Sequence, residues 1–185
     1  QKRLFEGHIG DISRSGFVYV PLQGRLLERR SFQGCSPFRM LQHVLEQEPE
    51  KAIIATLHPN EQYSSQEIAA LEELEHTTDR LEIRIGEMEP LLASCDYVVT
   101  QNSSAAFSGF FFGKPCVLFA RVDFHHIATN VSGLGVESAF QQVQTMTPDY
   151  AGYVWWFLQR QSINAGRPEA EDRIRDRLAA LDWPV

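Results

Sequence analysis

The sequence predicts an α/β fold, a parallel β-sheet with helices packed on both faces. Short runs of β-branched and aromatic residues recur along the chain, and segments with helical periodicity separate them. Most of these runs, such as AIIATL at 52–57 and YVV at 97–99, are apolar instead of alternating with polar residues, which is typical of strands that are covered on both faces. Since strands joined by helices form parallel sheets, this alternation predicts a Rossmann-like domain over residues 1–135.

Composition places the chain among ordinary globular proteins. It has 185 residues, 43% hydrophobic and 22% charged, with a formal net charge of −7. The negative charge argues against a nucleic-acid partner, which normally requires a basic face. No apolar run approaches the ~20 residues of a membrane helix, and no signal peptide is visible. We therefore expect a cytoplasmic domain, for which peripheral contact with a membrane stays an open alternative.

The first half of the chain predicts three strands and two long helices. A strand is expected over residues 17–22, and the polar, glycine-rich residues 1–16 before it favour neither a helix nor a strand. Ser36 and Pro37 predict a helix start, with serine as the cap and proline in the first turn. The apolar segment at 52–57 predicts the second strand, a helix follows from about Ser65, and a third strand is expected at 81–85.

The stretch from Asp96 to Lys114 predicts a buried strand, a polar turn and an apolar helix. The strand ends at Thr100, and Gln101, Asn102, Ser103 and Ser104 form the turn. The helix is expected over residues 105–112, buried because it is apolar all round. We expect Gly113 to end it in the left-handed conformation, before a strand at 116–120.

Beyond residue 120 the alternation of strands and helices weakens. Residues 121–135 are expected to form a polar loop, and residues 148–163 and 168–182 two helices. We therefore predict a helical extension over residues 136–185 that packs on the domain formed by residues 1–135.

Polar residues follow four of the predicted strands. Because ligands of open parallel sheets bind beyond the carboxyl ends of the strands, these residues are candidates for one shared site. They are Gln23 with Gly24, His58 with Pro59, Gln101 with Asn102, Ser103 and Ser104, and Asp123 with His125 and His126. The helix start near Ser103 offers backbone N–H groups to an anion such as phosphate.

Simpler interpretations of these residues remain open. Asn102 or Ser103 would serve equally as a helix cap, and His58 as a loop residue held by Pro59. The basic residues Arg25, Arg29 and Arg30 suit a solvated loop or a contact with an anionic ligand.

Other chemistries lack their motifs. The sequence contains no GxSxG, GxGxxG or Walker pattern, so serine-hydrolase, NAD and ATP sites are not supported. Adjacent His125 and His126 do not easily face one ion, and Cys35, Cys95 and Cys116 show no zinc spacing. We predict reduced thiols, no metal and no cofactor.

Four segments together resemble a known family. They are VPLQ at 20–23, LHPNE at 57–61, CDYVVTQNSSAAFSGFFFGKPCVLF at 95–119 and DFHH at 123–126. With them, residues 17–130 look like the nucleotide-binding half of capsule polysaccharide biosynthesis glycosyltransferases, the family that includes Kdo transferases. The resemblance implies the C-terminal half of a two-domain GT-B enzyme, with a nucleotide-sugar donor, CMP-Kdo or a related CMP-sugar, and a glycan acceptor.

The same resemblance implies roles for individual residues. His58 and Pro59 match the HP motif, and Gln101, Asn102, Ser103 and Ser104 match the serine-rich motif that holds the nucleotide phosphate. One departure is Ser108, where the family carries Glu, which puts recognition of the ribose or the identity of the donor in question. The catalytic base is expected in a missing N-terminal domain, so the isolated chain should not transfer sugar.

Two other functions compete with a transferase. One is a non-catalytic Rossmann-like module that binds a nucleotide or a protein, which Ser108 favours. The other is an epimerase-like GT-B enzyme that acts on UDP-sugars, whose acidic and histidine pattern matches this sequence less well.

Overall fold

A computed structural model describes residues 16–183, in which six strands form one parallel sheet. The strands are β1 (Phe17–Pro21), β2 (Ala52–Leu57), β3 (Leu81–Ile85), β4 (Tyr97–Thr100), β5 (Cys116–Leu118) and β6 (Thr129–Asn130). Their order across the sheet is β3-β2-β1-β4-β5-β6, and every neighbouring pair is parallel. This is the doubly wound order of Rossmann-like folds, so the predicted fold class is confirmed. The expectation for residues 1–15 lies outside the described residues.

Helices connect the strands and continue after the last one. They are α1 (Pro37–Gln47), α2 (Ser65–His76), α3 (Met88–Ser94), α4 (Ser104–Phe110), α5 (Val131–Leu134), α6 (Val136–Val143), α7 (Tyr150–Trp155) and α8 (Ala170–Ala179). A 3₁₀ turn spans His125–Ile127, and a π-helix spans Trp156–Gln161. Between residues 16 and 183, no helix combines the length and the apolar character needed to cross a bilayer.

Strands β1, β4 and β5 are buried along their whole length, which explains why they are mostly apolar, whereas the edge strand β3 alternates buried or half-buried with exposed residues. On one face, Val18, Val20 and Ile53 belong to a core that includes residues of α1, α2 and α6. On the other face, Gly109 of α4 lies close to Val98, where an added Cβ would meet its side chain at 3.4 Å.

Local signals set the helix ends where the sequence predicts them. The hydroxyl of Ser36 accepts from the N–H of Arg39 at the start of α1. Ser64 and Glu67 form a reciprocal capping box at the start of α2. At the end of α4, Gly113 has φ +63°, and the N–H of Lys114 donates to the carbonyl of Gly109 at 3.0 Å, as in a Schellman motif.

The structure contains three further elements between residues 129 and 143. Strand β6 and helix α5 lie in the segment predicted as a polar loop, and α6 lies at the start of the predicted helical extension. Ala139, Phe140 and Val143 of α6 are buried in the core, so the first domain continues beyond residue 135. Their spacing of three or four residues is a helical signal that the preceding polar residues obscured.

The chain divides into two compact units, Gln1–Pro148 and Asp149–Val185. The second unit contains α7, the π-helix and α8. Within it, Arg173 and Arg177 of α8 donate to the carbonyls of Gln159 and Arg160 at 2.8 and 2.7 Å. These bonds satisfy backbone carbonyls at the end of the π-helix, where the last carbonyls of a helix have no N–H donors within the helix itself.

The three cysteines are free thiols, as the sequence suggests. Cys95 and Cys116 are buried, whereas Cys35 is only half-buried. Burial raises the pKa of the Cys95 thiol to about 12, although the nearby charge of Lys114 acts in the opposite direction. Cys95 therefore stays protonated at neutral pH and acts as a small core residue.

Candidate functional site

The sheet reverses its winding between β1 and β4, the adjacent strands at its centre. In open α/β sheets a crevice opens beyond the carboxyl ends of the strands at this point. The hydroxyl of Thr100, at the end of β4, donates to the carbonyl of Pro21 at 3.0 Å. The N–H of Asn102 contacts the side-chain oxygen of Gln23 at 3.5 Å. These contacts hold together the two loops that carry the candidate residues.

A cleft of about 370 Å³ opens at this edge. The ends of β1 and β2 contribute Gln23, His58, Pro59 and Glu61, and the start of α4 contributes Ser103, Ser104 and Ala105. Gly86 and Met88, beside the start of α3, also line it. The volume lies within the range of small-molecule sites. The structure thus brings His58, Pro59, Gln23, Ser103 and Ser104 to one cleft.

His58 occupies a tight turn that follows β2. The N–H of Glu61 donates to the carbonyl of His58 at 3.1 Å, and Pro59 takes the second position, where its fixed φ suits a turn. The N–H of Asn60 donates to His58 Nδ1 at 3.2 Å. Because Nδ1 accepts, the neutral imidazole carries its proton on Nε2. The exposed ring therefore offers a hydrogen-bond donor.

The two serines at the start of α4 have different environments. Ser103 is the N-cap, and its hydroxyl accepts from the N–H of Ala105 at 3.2 Å. Its carbonyl accepts from the N–H of Ala106 at 3.1 Å. Ser104 is the first residue of the helix and is exposed. The capping interpretation thus describes the Ser103 side chain, and Ser104 presents a hydroxyl at the cleft.

Two buried hydroxyl groups line the cleft and were not predicted as site residues. Tyr19 Oη and Thr56 Oγ1 lie 3.0 Å apart, and both side chains line the cleft. Burial raises the pKa of Tyr19, more than its hydrogen bond with Thr56 lowers it. Tyr19 is therefore a neutral hydrogen-bonding group at neutral pH. Only the register that pairs β1 with β2 brings these side chains together.

Glu61 is a further residue of the cleft; it belongs to the LHPNE segment and is not among the predicted site residues. It closes the turn that begins at His58, and its carboxylate lies against Gly24. A Cβ atom at Gly24 would lie 2.3 Å from Glu61 Oε2. Position 24 therefore requires glycine as long as the Glu61 carboxylate keeps this place. Gly24 itself is buried, and its carbonyl accepts from Arg30 at 2.9 Å.

Gln101 and Asn102 support the site without lining the cleft. Gln101 is 1% exposed, and its amide nitrogen donates to the carbonyl of Cys35 at 3.0 Å. This bond ties the turn after β4 to the segment before α1. Asn102 is half-buried, and its side-chain oxygen has no hydrogen bond within residues 16–183.

The DFHH segment lies outside the cleft. His125 and His126 stack with ring centroids 4.3 Å apart, and His125 Nδ1 contacts the carbonyl of Val122. Asp123, His125 and His126 follow β5, which β4 separates from β1, so they do not line this cleft. In the described range, no three His, Cys, Asp or Glu side chains are grouped so that they could hold a metal ion.

No protein-family model matches the chain, and no curated protein matches it in sequence. Among solved structures, it resembles the S. aureus MnaA–UDP co-structure over 94% of its length, with 13% identity and a TM-score of 0.44. It resembles the wall teichoic acid polymerase TagF over 92% of its length, with 13% identity and a TM-score of 0.41. The chain spans 47% and 44% of those two chains, less than half of each. Likenesses at this level carry no weight in assigning a function.

Proposed function

We propose that the chain is the nucleotide-binding half of a GT-B-type glycosyltransferase for a capsule or surface polysaccharide. Its cleft would hold the nucleotide of a nucleotide-sugar donor, CMP-Kdo or a related CMP-sugar. One observation carries the proposal: His58 and the serine pair, distant in the chain, line the same cleft at the switch point of the sheet. The identity of the donor comes from the HP and QNSS resemblance alone.

The polar groups of the cleft suit a phosphate. His58 Nε2 is a donor when the ring is neutral, and the Ser104 hydroxyl is a second donor. The start of α4 adds the positive end of a short helix. A hydrogen bond to a charged group contributes about 1.5–3 kcal/mol, so two such contacts would support binding of a nucleotide with a dissociation constant between tens of micromolar and several millimolar.

The size of the cleft fits a nucleotide better than a donor together with an acceptor. At about 370 Å³ it lies near the lower limit of small-molecule sites. A GT-B enzyme completes its site with a second domain across the crevice, and we propose that this domain supplies the acceptor site and the catalytic base. The 185-residue chain alone should therefore bind the donor without transferring it.

A titration panel tests the proposal. Isothermal calorimetry with CMP, a CMP-sugar, UDP and GDP should show binding of the cytidine compounds, which the His58→Ala variant weakens. Tighter binding of UDP would instead favour the epimerase-like alternative. If no nucleotide binds at millimolar concentration, the proposal is wrong for this chain.

A non-catalytic nucleotide-binding module is the second candidate. Ser108 stands where the family carries Glu, and it is half-buried on α4 and does not line the cleft. Among the described residues that line the cleft, Glu61 is the one carboxylate. If the chain joined to its second domain binds CMP-sugars without transferring or hydrolysing them, this candidate is the correct one.

A further inference from the structure

We propose that Glu61 recognises a vicinal diol of the donor, with the two hydroxyl groups bound beside Gly24. The inference rests on the proposed function, because it assumes that the cleft holds a nucleotide-sugar. It assigns a specificity-determining role to the last residue of the LHPNE segment, for which the resemblance implies no role.

The position of the carboxylate is the first observation. Glu61 Oε2 occupies the space that a side chain at residue 24 would need, since an added Cβ would lie 2.3 Å from it and 3.0 Å from the carboxyl carbon. Within residues 16–183, no hydrogen bond or ion pair involves this carboxylate, although the residue lines the cleft. The acceptor positions of both oxygens are therefore available to a ligand.

The charge of Glu61 divides the cleft into two chemical regions. A carboxylate repels phosphate oxygens and only accepts hydrogen bonds, whereas His58 and Ser104 can donate. Burial raises the pKa of Tyr63, and the negative charge of Glu61 adds to that rise. Tyr63 Oη in turn accepts from the N–H of His58 at 2.9 Å. A phosphorylated ligand therefore has its phosphate at the donors and a group with hydroxyl protons at Glu61.

A vicinal diol matches the two oxygens of a carboxylate. Each hydroxyl donates to one oxygen, and such charge-assisted bonds are about twice as strong as neutral ones. A nucleotide-sugar offers diols from two sources, the ribose and the transferred sugar. Ligands that lack either the ribose diol or the transferred sugar show which of the two diols Glu61 binds.

Two variants test the role of Glu61. Glu61→Ala removes the carboxylate. Gly24→Ala keeps the charge but places a methyl group where Oε2 lies, so the flexible side chain has to turn away. The φ angle of Gly24 is not in the left-handed region, so alanine fits the backbone there. Glu72→Ala, an exposed change on α2, is the matched control.

Calorimetry in EDTA with CMP, 2′-deoxy-CMP, CMP-N-acetylneuraminate and inorganic pyrophosphate provides the readout. If the ribose is the source, the unaltered chain should prefer CMP over 2′-deoxy-CMP by about tenfold, the size of one charge-assisted bond. If the transferred sugar is the source, it should prefer the CMP-sugar over CMP instead. Both variants should reduce that preference to less than about threefold, and Glu72→Ala should leave it unchanged. Glu61→Ala should also bind pyrophosphate at least as tightly as the unaltered chain, which a general loss of structure would not produce.

The two proposals fail in different ways. If nucleotides bind and depend on His58 and Ser104, but both preferences are the same in Glu61→Ala as in the unaltered chain, the role of Glu61 is wrong and the proposed function stands. A preference that exists only with added Mg²⁺ would also overturn the role, because it would indicate a metal ligand. If no nucleotide binds to the unaltered chain, both proposals are wrong.

Discussion

The hydroxyl of Thr100 donates a hydrogen bond of 3.0 Å to the carbonyl of Pro21, which joins the carboxyl ends of β4 and β1. Both residues are buried, and they belong to the two strands between which the sheet reverses its winding. The loops that follow carry Gln23 on one side and the serine turn on the other. The bond therefore helps to fix the width of the candidate site.

Thr100→Val should reduce both stability and nucleotide binding. The change keeps the size of the side chain but leaves the Pro21 carbonyl without this donor, at a cost of about 1–3 kcal/mol in the free energy of unfolding. Urea denaturation measures the loss.

Thr129→Val is the matched control, because Thr129 makes the same kind of buried bond, to the Cys116 carbonyl at 3.2 Å, at the far edge of the sheet. It should lower stability by a similar amount and leave CMP binding unchanged. Equal effects of the two changes on binding would contradict a specific role of Thr100.

Substitution of the two serines of the turn should have different effects: one change should lower stability and the other should weaken nucleotide binding. Ser103→Ala removes the N-cap of α4 and should cost about 1 kcal/mol, a fall in melting temperature of about 2–4 °C. Ser104→Ala should leave the melting temperature unchanged and weaken CMP binding by about tenfold. Calorimetry and thermal denaturation of both variants check this assignment. Weaker binding in Ser103→Ala alone would mean that the capping serine is also the phosphate ligand.

His58→Ala should weaken CMP binding by about ten- to a hundredfold, because it removes the Nε2 donor from the cleft. His76→Ala, at the exposed end of α2 and away from the cleft, should have no effect on binding. Calorimetry at one ionic strength compares the two. An equal response of the two variants would show that no specific contact of His58 with the nucleotide accounts for the change.

Glu67 should make stability depend on pH. Burial raises the pKa of its carboxyl, but hydrogen bonds from Ser64, Leu26 and Leu27 outweigh burial and lower it below its usual value of 4.5. A group whose pKa is lower in the folded state stabilises the fold above its unfolded pKa. That contribution is lost as the pH falls through the folded pKa.

The Glu67→Gln variant should therefore be less stable than the unaltered chain at pH 7, by about 1–2 kcal/mol. The difference should shrink as the pH falls below 4.5. Urea denaturation between pH 3 and 7 measures it, with the exposed Glu73→Gln as the control. A difference that is constant across this range would show that the carboxylate charge has no part in holding the loop after β1.

Much of the fold follows from local signals. Ser36 with Pro37, Ser64 and Gly113 set helix ends that the sequence predicts, because caps and left-handed glycines act over a few residues. Strand β6 escaped prediction because it has two residues, Thr129 and Asn130, and neither carries an apolar strand signal. It is a strand only because β5 pairs with it.

The candidate site was predictable only in part. The rule that ligands bind beyond strand ends placed His58 and Ser104 together, since their strands are parallel and lie on either side of β1. The same rule does not specify which strand ends share one cleft, and His125 and His126, which it grouped with the others, do not line this cleft. The contact of Glu61 with Gly24 depends on two loops distant in sequence, so no local pattern indicates it.

The most direct test of the nucleotide site is a two-dimensional ¹H–¹⁵N NMR titration of the 185-residue chain with CMP. We expect saturable shifts in the amides of His58, Glu61, Gly86 and Ser104, which surround the cleft. Amides of α6, on the opposite face of the sheet, should stay in place. Shifts confined to residues outside the cleft, or no shifts at millimolar CMP, would contradict the proposed site.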